Sequence, residues 1–115
     1  MAGLLASLLP VLLTACVTSS PVQFLFGADM VYPPAAKAEG IEGFVVVRYD
    51  VTVEGMVANA EVVEAEPEGV FEEAALASIV QWRFRAAMVG GKPVETPGML
   101  STLRFRLSED DHAEY

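Results

Sequence analysis

The stretch GFVVVRYDVTVEGMVANAEVVE, residues 43–64, decides the fold of this chain. In its first half apolar and polar residues alternate, which is the period-two pattern of a strand with one buried face. The pattern predicts a buried face formed by Val45, Val47, Tyr49, Val51 and Val53. Glu54 and Gly55 then provide a turn, because glycine adopts the positive φ that tight hairpin turns require. Residues 56–64 complete an antiparallel hairpin, and the broken alternation at Asn59 and Ala60 predicts a β-bulge.

A helical pattern follows the hairpin. Apolar residues recur every three or four positions, at Phe71, Ala75, Ile79 and Trp82, which predicts a helix from about Val70 to Gln81 or Trp82. Glu72 and Glu73 fall in its first turn, where carboxylates interact favourably with the helix dipole. This placement explains the two acids better than an acid–base pair does. A shorter helix, from Pro34 to about Glu39, is predicted upstream, since prolines open helices and Gly40 ends one.

Alternation returns near the end of the chain. From Thr102 to Leu107 one face carries leucine and phenylalanine and the other carries threonine and arginine, which predicts a last strand. The order hairpin, helix, strand predicts an α+β fold of two layers, in which an antiparallel three-stranded sheet is covered on one face by the helix.

The last strand is expected to lie at an edge of the sheet. Pro97 lacks a backbone donor and suits an edge position, and Arg104 and Arg106 are the kind of residue that guards an edge against unwanted pairing. Such edges are also where partners add a strand through backbone hydrogen bonds. The alternative is that the edge is merely protected and binds nothing.

A short apolar run, LLASLLPVLLTA (residues 4–15), precedes the only cysteine, Cys16. About twelve helical residues cover roughly 18 Å, too little for a ~30 Å hydrocarbon core, so the run indicates a secretion signal. Leu13-Thr14-Ala15-Cys16 resembles the cleavage box of bacterial lipoproteins. It predicts removal of residues 1–15 and a lipid anchor of two or three acyl chains on Cys16. The alternative is a buried cysteine in a core helix.

Composition excludes several functions. A net charge of −9 argues against nucleic-acid binding, which depends on lysine and arginine. The only histidine, His112, lies in an acidic tail, so no serine or cysteine nucleophile has an imidazole partner elsewhere. The acids are spread along the chain and favour no metal site, and no phosphate-binding glycine loop occurs. We therefore expect neither an enzyme nor a cofactor.

Several short motifs occur together between Val31 and Leu107. They are Tyr32-Pro33 with Ala36, Gly40 with Gly43, Gly55, Trp82-Arg83-Phe84, Gly91-Lys92-Pro93-Val94 and Phe105-Arg106-Leu107. In this combination the chain resembles the C-terminal domain of the TonB energy-transducer family. The resemblance divides the sequence into a signal peptide (1–15), a tether (16–31), a TonB-like domain (32–108) and an acidic disordered tail (109–115).

The resemblance implies a periplasmic domain that captures the TonB box, a short extended segment of an outer-membrane receptor. Capture in that family occurs by strand addition to the last strand, which here corresponds to Leu103, Arg104, Phe105, Arg106 and Leu107. Tyr32 and Pro33 are secondary candidates because the family's Tyr-Pro segment lies near that site. Val31 stands where full transducers carry a glutamine that touches the receptor.

The segment before the domain limits what the protein does. From Cys16 to Tyr32 the chain reaches at most ~50–60 Å, at ~3.3–3.6 Å per residue, and the periplasm is several times wider. We therefore expect a TonB-like lipoprotein without energy coupling of its own, and Val17 after the cysteine favours the outer membrane over the inner one. The alternative is a structural subunit of the envelope that uses the same edge to form a homodimer.

Overall fold

The computed structural model describes residues 3, 18–107 and 113–114 of the chain. Cys16, His112 and the predicted signal peptide except Gly3 lie outside the described residues. The elements, in chain order, are β1 (Ser19–Ser20), β2 (Gln23–Phe26), α1 (Pro34–Glu39), β3 (Gly43–Val51), β4 (Val57–Glu66), α2 (Glu72–Ile79), β5 (Arg83–Arg85), β6 (Ala87–Val89), β7 (Lys92–Val94), β8 (Thr96–Phe105) and β9 (Ala113–Glu114).

The predicted hairpin is confirmed as β3 and β4, which pair antiparallel in a sheet of order β4-β3-β8-β9. Arg48 pairs with Glu61 and Asp50 with Ala58, so two residues of β4 lie opposite Tyr49. The predicted bulge at Asn59 and Ala60 is therefore confirmed. Asn59 has a φ of 52°, a left-handed conformation that asparagine tolerates better than most residues.

The core lies between the sheet and α2. Val45, Val47, Tyr49 and Val51 of β3 are at most 1% exposed, and they pack with apolar side chains from α2 and β8. Val53, predicted on the same face, lies beyond the end of β3 and is 47% exposed. Phe71 and Phe105 stack with ring centroids 4.4 Å apart and an interplanar angle of 14°. This arrangement confirms the α+β fold of two layers. One face of β8 contributes Leu103 and Phe105 to the core.

Helix α2 is shorter than the sequence predicts. It spans Glu72–Ile79, and Arg83 and Arg85 lie beyond it in β5. The apolar spacing misleads because Trp82 is buried for a different reason: its ring packs edge-on to Phe24 and Tyr49 below the sheet. The acids Glu72 and Glu73 do lie in the first turn, as predicted.

The last strand begins earlier and ends sooner than predicted. β8 spans Thr96–Phe105, so Arg106 and Leu107 lie beyond its end. The alternation was hidden because Ser101, a polar residue, occupies a core-facing position opposite Val47. The Ser101 hydroxyl and the Tyr49 hydroxyl are 2.8 Å apart, and this hydrogen bond satisfies both groups below the sheet.

The N-terminal segment also differs from expectation. Residues 16–31 were expected to form a tether, but β1 pairs with β6 and β2 pairs with β5, so part of this segment belongs to the fold. The ring of Phe24 is 5.3 Å from that of Trp82 and 5.4 Å from that of Phe84. Aromatic contacts of this kind hold β2 on the domain.

The expected disordered tail differs at two positions. Ala113 and Glu114 form β9, which pairs antiparallel with Phe105 and Arg104. The main sheet thus has a short fourth strand where the sequence predicts three. Residues 108–112 and 115 lie outside the described residues.

Candidate functional site

One side of β8 is open along most of its length. On its other side the strand pairs with β3 from Gly43 opposite Phe105 to Val51 opposite Thr96. On the open side, within residues 3, 18–107 and 113–114, the only pairing is with β9 at Arg104 and Phe105. From Thr96 to Leu103 no other described strand pairs with this side. Apart from the Gly98 amide, which donates to Asp50, the backbone groups on this side are left for another strand, which is the geometry that accepts one.

The five predicted partner-binding residues of the last strand fall into two groups. Leu103 and Phe105 are fully buried in the core, so they have only backbone groups to offer a partner. Arg104 is exposed on the outer face and supplies positive charge beside the edge. Arg106 and Leu107 follow the strand, and the Leu107 amide donates to Oε1 of Glu42 at 2.9 Å. The structure thus places the first three on the edge and the last two beside it.

Tyr32 supports the C-terminal end of this edge from below. Its ring packs edge-on to Phe71 and Phe105, with centroids 5.6 and 5.8 Å away, and its hydroxyl donates to the carbonyl of Ile41. Burial, and then the negative charge of Glu42, raise the pKa of the Tyr32 hydroxyl. Pro33 is half-buried and precedes α1. Tyr32 therefore lies against a site residue, and a direct role toward a partner stays a prediction for both residues.

An apolar groove of about 340 Å³ runs beside the open side of β8, and we call it the edge groove. It is lined by Val22, Phe24, Tyr49, Trp82, Phe84, Met99, Ser101 and Thr102. Sequence reasoning missed it because Val22 and Phe24, which lie just before and within β2, fall in the segment that the sequence predicts to be a tether. The available signal was the run Phe24-Leu25-Phe26, whose apolar side chains need cover.

Tyr49 forms part of the groove floor and is 1% exposed. Burial raises the pKa of its hydroxyl, and the hydrogen bond to Ser101 opposes that shift. The phenol is accordingly neutral at physiological pH, and the pair of hydroxyls adds polarity to the floor without adding charge. Nothing in this arrangement resembles a nucleophile activated by a base.

The start of β8 is fixed to the hairpin by one carboxylate. Asp50 accepts from Nδ2 of Asn59 at 2.9 Å and from the Gly98 amide at 3.0 Å. These hydrogen bonds, first that of Asn59 and then that of Gly98, lower the pKa of Asp50. Because Asn59 belongs to the bulge in β4 and Gly98 to β8, Asp50 connects the two strands that flank β3.

Within residues 3, 18–107 and 113–114, no three histidine, cysteine, aspartate or glutamate side chains cluster in a way that suits a metal ion. In the same part of the chain, every helix is too short or too polar to cross a membrane.

The comparison with known families matches residues 28–107 to the family described as Gram-negative bacterial TonB protein C-terminal. The TonB protein of Klebsiella aerogenes is 35% identical over 80 residues, which are 70% of this chain and 30% of that protein. The TonB protein of Salmonella typhimurium is 38% identical over 77 residues, which are 67% of this chain and 29% of that protein. The match therefore spans less than a third of each of these relatives.

Two solved structures share the fold. The solution structure of the TonB C-terminal domain of Pseudomonas aeruginosa superposes with a TM-score of 0.67 at 30% identity, covering 78% of this chain and 90% of that one. The TonB2 protein of Vibrio anguillarum gives a TM-score of 0.55 at 30% identity, covering 80% of this chain and 96% of that one.

Proposed function

The chain belongs to the Gram-negative bacterial TonB C-terminal family, and on that premise we propose that it captures an extended segment of an envelope protein by strand addition to β8. The segment is the TonB box of an outer-membrane receptor, and the module faces the periplasm. The observation that carries the proposal is the open side of β8 from Thr96 to Leu103.

The pairing of β9 with β8 supports this mode of binding. Ala113 and Glu114 already form an antiparallel ladder with Phe105 and Arg104, so this side of the strand accepts backbone from another segment. A longer captured segment that reaches Arg104 and Phe105 has to displace β9. Strand addition then proceeds from the free stretch of β8 toward an occupied one.

Binding through this edge is expected to be weak and reversible. A backbone hydrogen bond contributes about 0.5–1.5 kcal/mol net, so about five bonds supply roughly 2–7 kcal/mol before the cost of association. Arg104 adds attraction toward an acidic residue of the segment, an effect that salt screens because the side chain is exposed. A receptor segment captured this way is released readily.

The membrane attachment forms part of the proposal. Signal cleavage before Cys16 and acylation of that cysteine hold the module on a membrane surface, with the outer membrane favoured over the inner. The module then participates in energy-dependent transport without an energy coupling of its own. Intact-mass spectrometry of the protein purified from membranes tests this: an unmodified Met1 or an unmodified Cys16 rejects the lipoprotein.

An NMR titration of the full chain in detergent micelles with a TonB-box peptide tests the capture. We expect amide shifts that map to Thr96–Phe105 and saturate below millimolar peptide. A peptide of the same composition with prolines at alternate positions is the control, because proline lacks the backbone donor. Unchanged amides in β8 at millimolar peptide would contradict the proposal.

The same edge also supports a second candidate, a homodimer in an envelope assembly. It is favoured by the continuous pairing of β8 from Met99 to Phe105, which suits a second copy of β8 as well as a receptor segment. Light scattering of the full chain distinguishes the two functions. A stable dimer whose β8 amides are protected from hydrogen exchange without peptide favours the assembly.

A further inference from the structure

We infer that the edge groove selects a large, uncharged apolar side chain in the captured segment, and that Phe24 of β2 forms the wall that sets this selectivity. The inference rests on the proposed strand addition, because the groove is offered to whatever lies along β8. Backbone pairing alone does not distinguish one sequence from another, and the groove adds a preference for one kind of side chain.

The position of the groove identifies its occupant as an extended chain. Ser101 and Thr102 both line it, although successive residues of a strand point to opposite faces of the sheet. The groove therefore lies on the core side of β8 and reaches the strand at Thr102, beside the line that an added strand would follow. Only an occupant whose backbone follows β8 fills such a space and also satisfies the open N–H and C=O groups.

The chemistry of the groove favours an apolar side chain. Its floor is formed by Tyr49, Trp82 and Phe84, none of which is more than 6% exposed. The two hydroxyls in its lining that lie closest to the core, on Tyr49 and Ser101, already bond to each other. None of the lining residues is charged, so a charged side chain would lose water there without gaining a partner.

The far wall of the groove comes from the N-terminal segment. Phe24 is 42% exposed, and the covered part of its ring packs on Trp82 and Phe84, so it faces β8 across the floor. In strand β2 it pairs with Phe84 of β5, which fixes its position independently of β8. A change at Phe24 consequently alters the shape of the groove and leaves the backbone edge intact.

Because side chains alternate along the captured strand, only some of them contact the groove. Every second residue of an added strand faces the same side of the sheet as the groove, and the residues between them face the outer side with Leu100 and Arg104. A volume of about 340 Å³ lies at the small end of the range for ligand pockets, about 300–1,000 Å³. The groove therefore accommodates one large side chain in preference to a row of them.

The experiment uses capped, uncharged nine-residue peptides of threonine and glutamine with one central guest residue: leucine, phenylalanine, alanine or aspartate. Because each peptide has a single guest residue, it can bind β8 in the register that places this residue in the groove. Trp82 is the only tryptophan of the chain and lines the groove, so its fluorescence reports occupancy directly. The full chain in detergent micelles is titrated, and amide shifts of β8 are recorded in parallel by NMR.

We expect the leucine and phenylalanine peptides to bind at least about fivefold more tightly than the alanine peptide, since burying a large apolar side chain is favourable. The aspartate peptide should bind more weakly than alanine, and only the large apolar guests should shift the Trp82 emission. In Phe24→Ala the leucine and alanine peptides should bind within about twofold of each other. Phe24→Leu should retain part of the preference.

Phe26→Ala is the matched control. Phe26 lies in the same strand and is 60% exposed, but it does not line the groove, so the preference for leucine should survive. Thermal unfolding of each variant establishes that β2 remains folded. The comparison of guests on the unmodified chain needs no variant and stands whether or not Phe24→Ala folds.

The possible outcomes distinguish failure of side-chain selection by the groove from failure of strand addition to β8. Equal affinities for the leucine and alanine peptides, with β8 amides shifting and Trp82 silent, overturn the groove and leave strand addition standing. No shift in β8 with any peptide overturns both. A leucine preference that persists in Phe24→Ala overturns the assignment of the wall.

Discussion

The two strands that flank β3 in the main sheet, β4 and β8, differ in how they meet solvent. β4 has register irregularities at two places against β3, and its exposed side chains include Glu61, Glu64 and Glu66. β8 pairs in continuous register from Phe105 to Met99 and has the edge groove beside it. Bulges and like charges are the usual means of keeping strands off an edge. The difference predicts that β4 rejects an added strand and that β8 accepts one.

The strongest test of this comparison removes the support of the open edge. Phe105→Ala takes away a fully buried ring that stacks on Phe71 and should lower the free energy of unfolding by about 3–5 kcal/mol. Chemical denaturation followed by circular dichroism measures it. Leu100→Ala in the same strand is the control: its side chain is 63% exposed, and a change within about 0.5 kcal/mol is expected. Equal losses would show that β8 is not anchored by its core face.

The second test acts on the turn of the hairpin that carries the closed edge. A Cβ added at Gly55 would lie 1.9 Å from the Phe84 carbonyl oxygen, whereas one added at Gly69 meets nothing within 4 Å. Both glycines have positive φ, so the backbone strain of an alanine is shared. Gly55→Ala should therefore destabilise by about 1–3 kcal/mol more than Gly69→Ala, because β5 has to move away.

Thermal and urea unfolding of the two glycine variants measure that difference. Identical stabilities would mean that β5 gives way freely, and the close approach of the turn to Phe84 would have no energetic weight. The Gly69 variant is the control, since it measures the cost of an alanine at positive φ where the added Cβ meets no neighbour.

The third test makes the closed edge resemble the open one. Glu64→Thr with Glu66→Thr removes two negative charges from β4 and adds residues with high β-propensity. We expect self-association at least about tenfold stronger than in the unmodified chain, measured by analytical ultracentrifugation in detergent. Glu39→Thr with Glu54→Thr, which changes the net charge equally away from β4, is the matched control. Unaltered association would assign the closure to the bulges alone.

The smallest effect concerns the carboxylate that connects the two edges. Because the folded pKa of Asp50 lies below its ordinary value of 3.8, its stabilising contribution is present above that value and is lost as pH falls through the lowered pKa. Stability should consequently decline at pH values below about 3.8. Asp50→Asn should flatten this part of the pH profile slightly, as measured by thermal unfolding between pH 2 and 6. An identical pH profile in the variant would show that protonation of Asp50 does not cause the loss of stability at low pH.

Much of the fold follows from residues whose pattern has one physical cause. The alternation of β3 is clear because one face is entirely core, and the bulge at Asn59 is visible because it breaks that alternation. β8 was predicted only in part because Ser101 faces the core with a hydroxyl partner from a residue far away in sequence. Such a pairing depends on tertiary structure, which a local pattern does not contain.

The candidate site was predicted less completely. Leu103 to Phe105 were placed on the correct strand, since hydrophobic spacing locates the end of a sheet. The edge groove was not found because its lining comes from four distant parts of the chain, and β2 has too few residues for a recognisable period. Phe24 and Phe26 are both exposed aromatic residues in one short strand, and only the fold distinguishes the one that lines the groove.

The pairing of β1 with β6 shortens the segment between the folded domain and the proposed lipid on Cys16. Ser19 already lies opposite Val89, so three residue steps separate the domain from the proposed lipid on Cys16. Three steps span only ~10–11 Å, at ~3.3–3.6 Å each. The domain would lie directly on the bilayer and meet its targets by lateral diffusion within the membrane plane. Affinity measured in bulk solution would then understate capture, because confinement to one surface raises the effective concentration of any target that protrudes from the same leaflet.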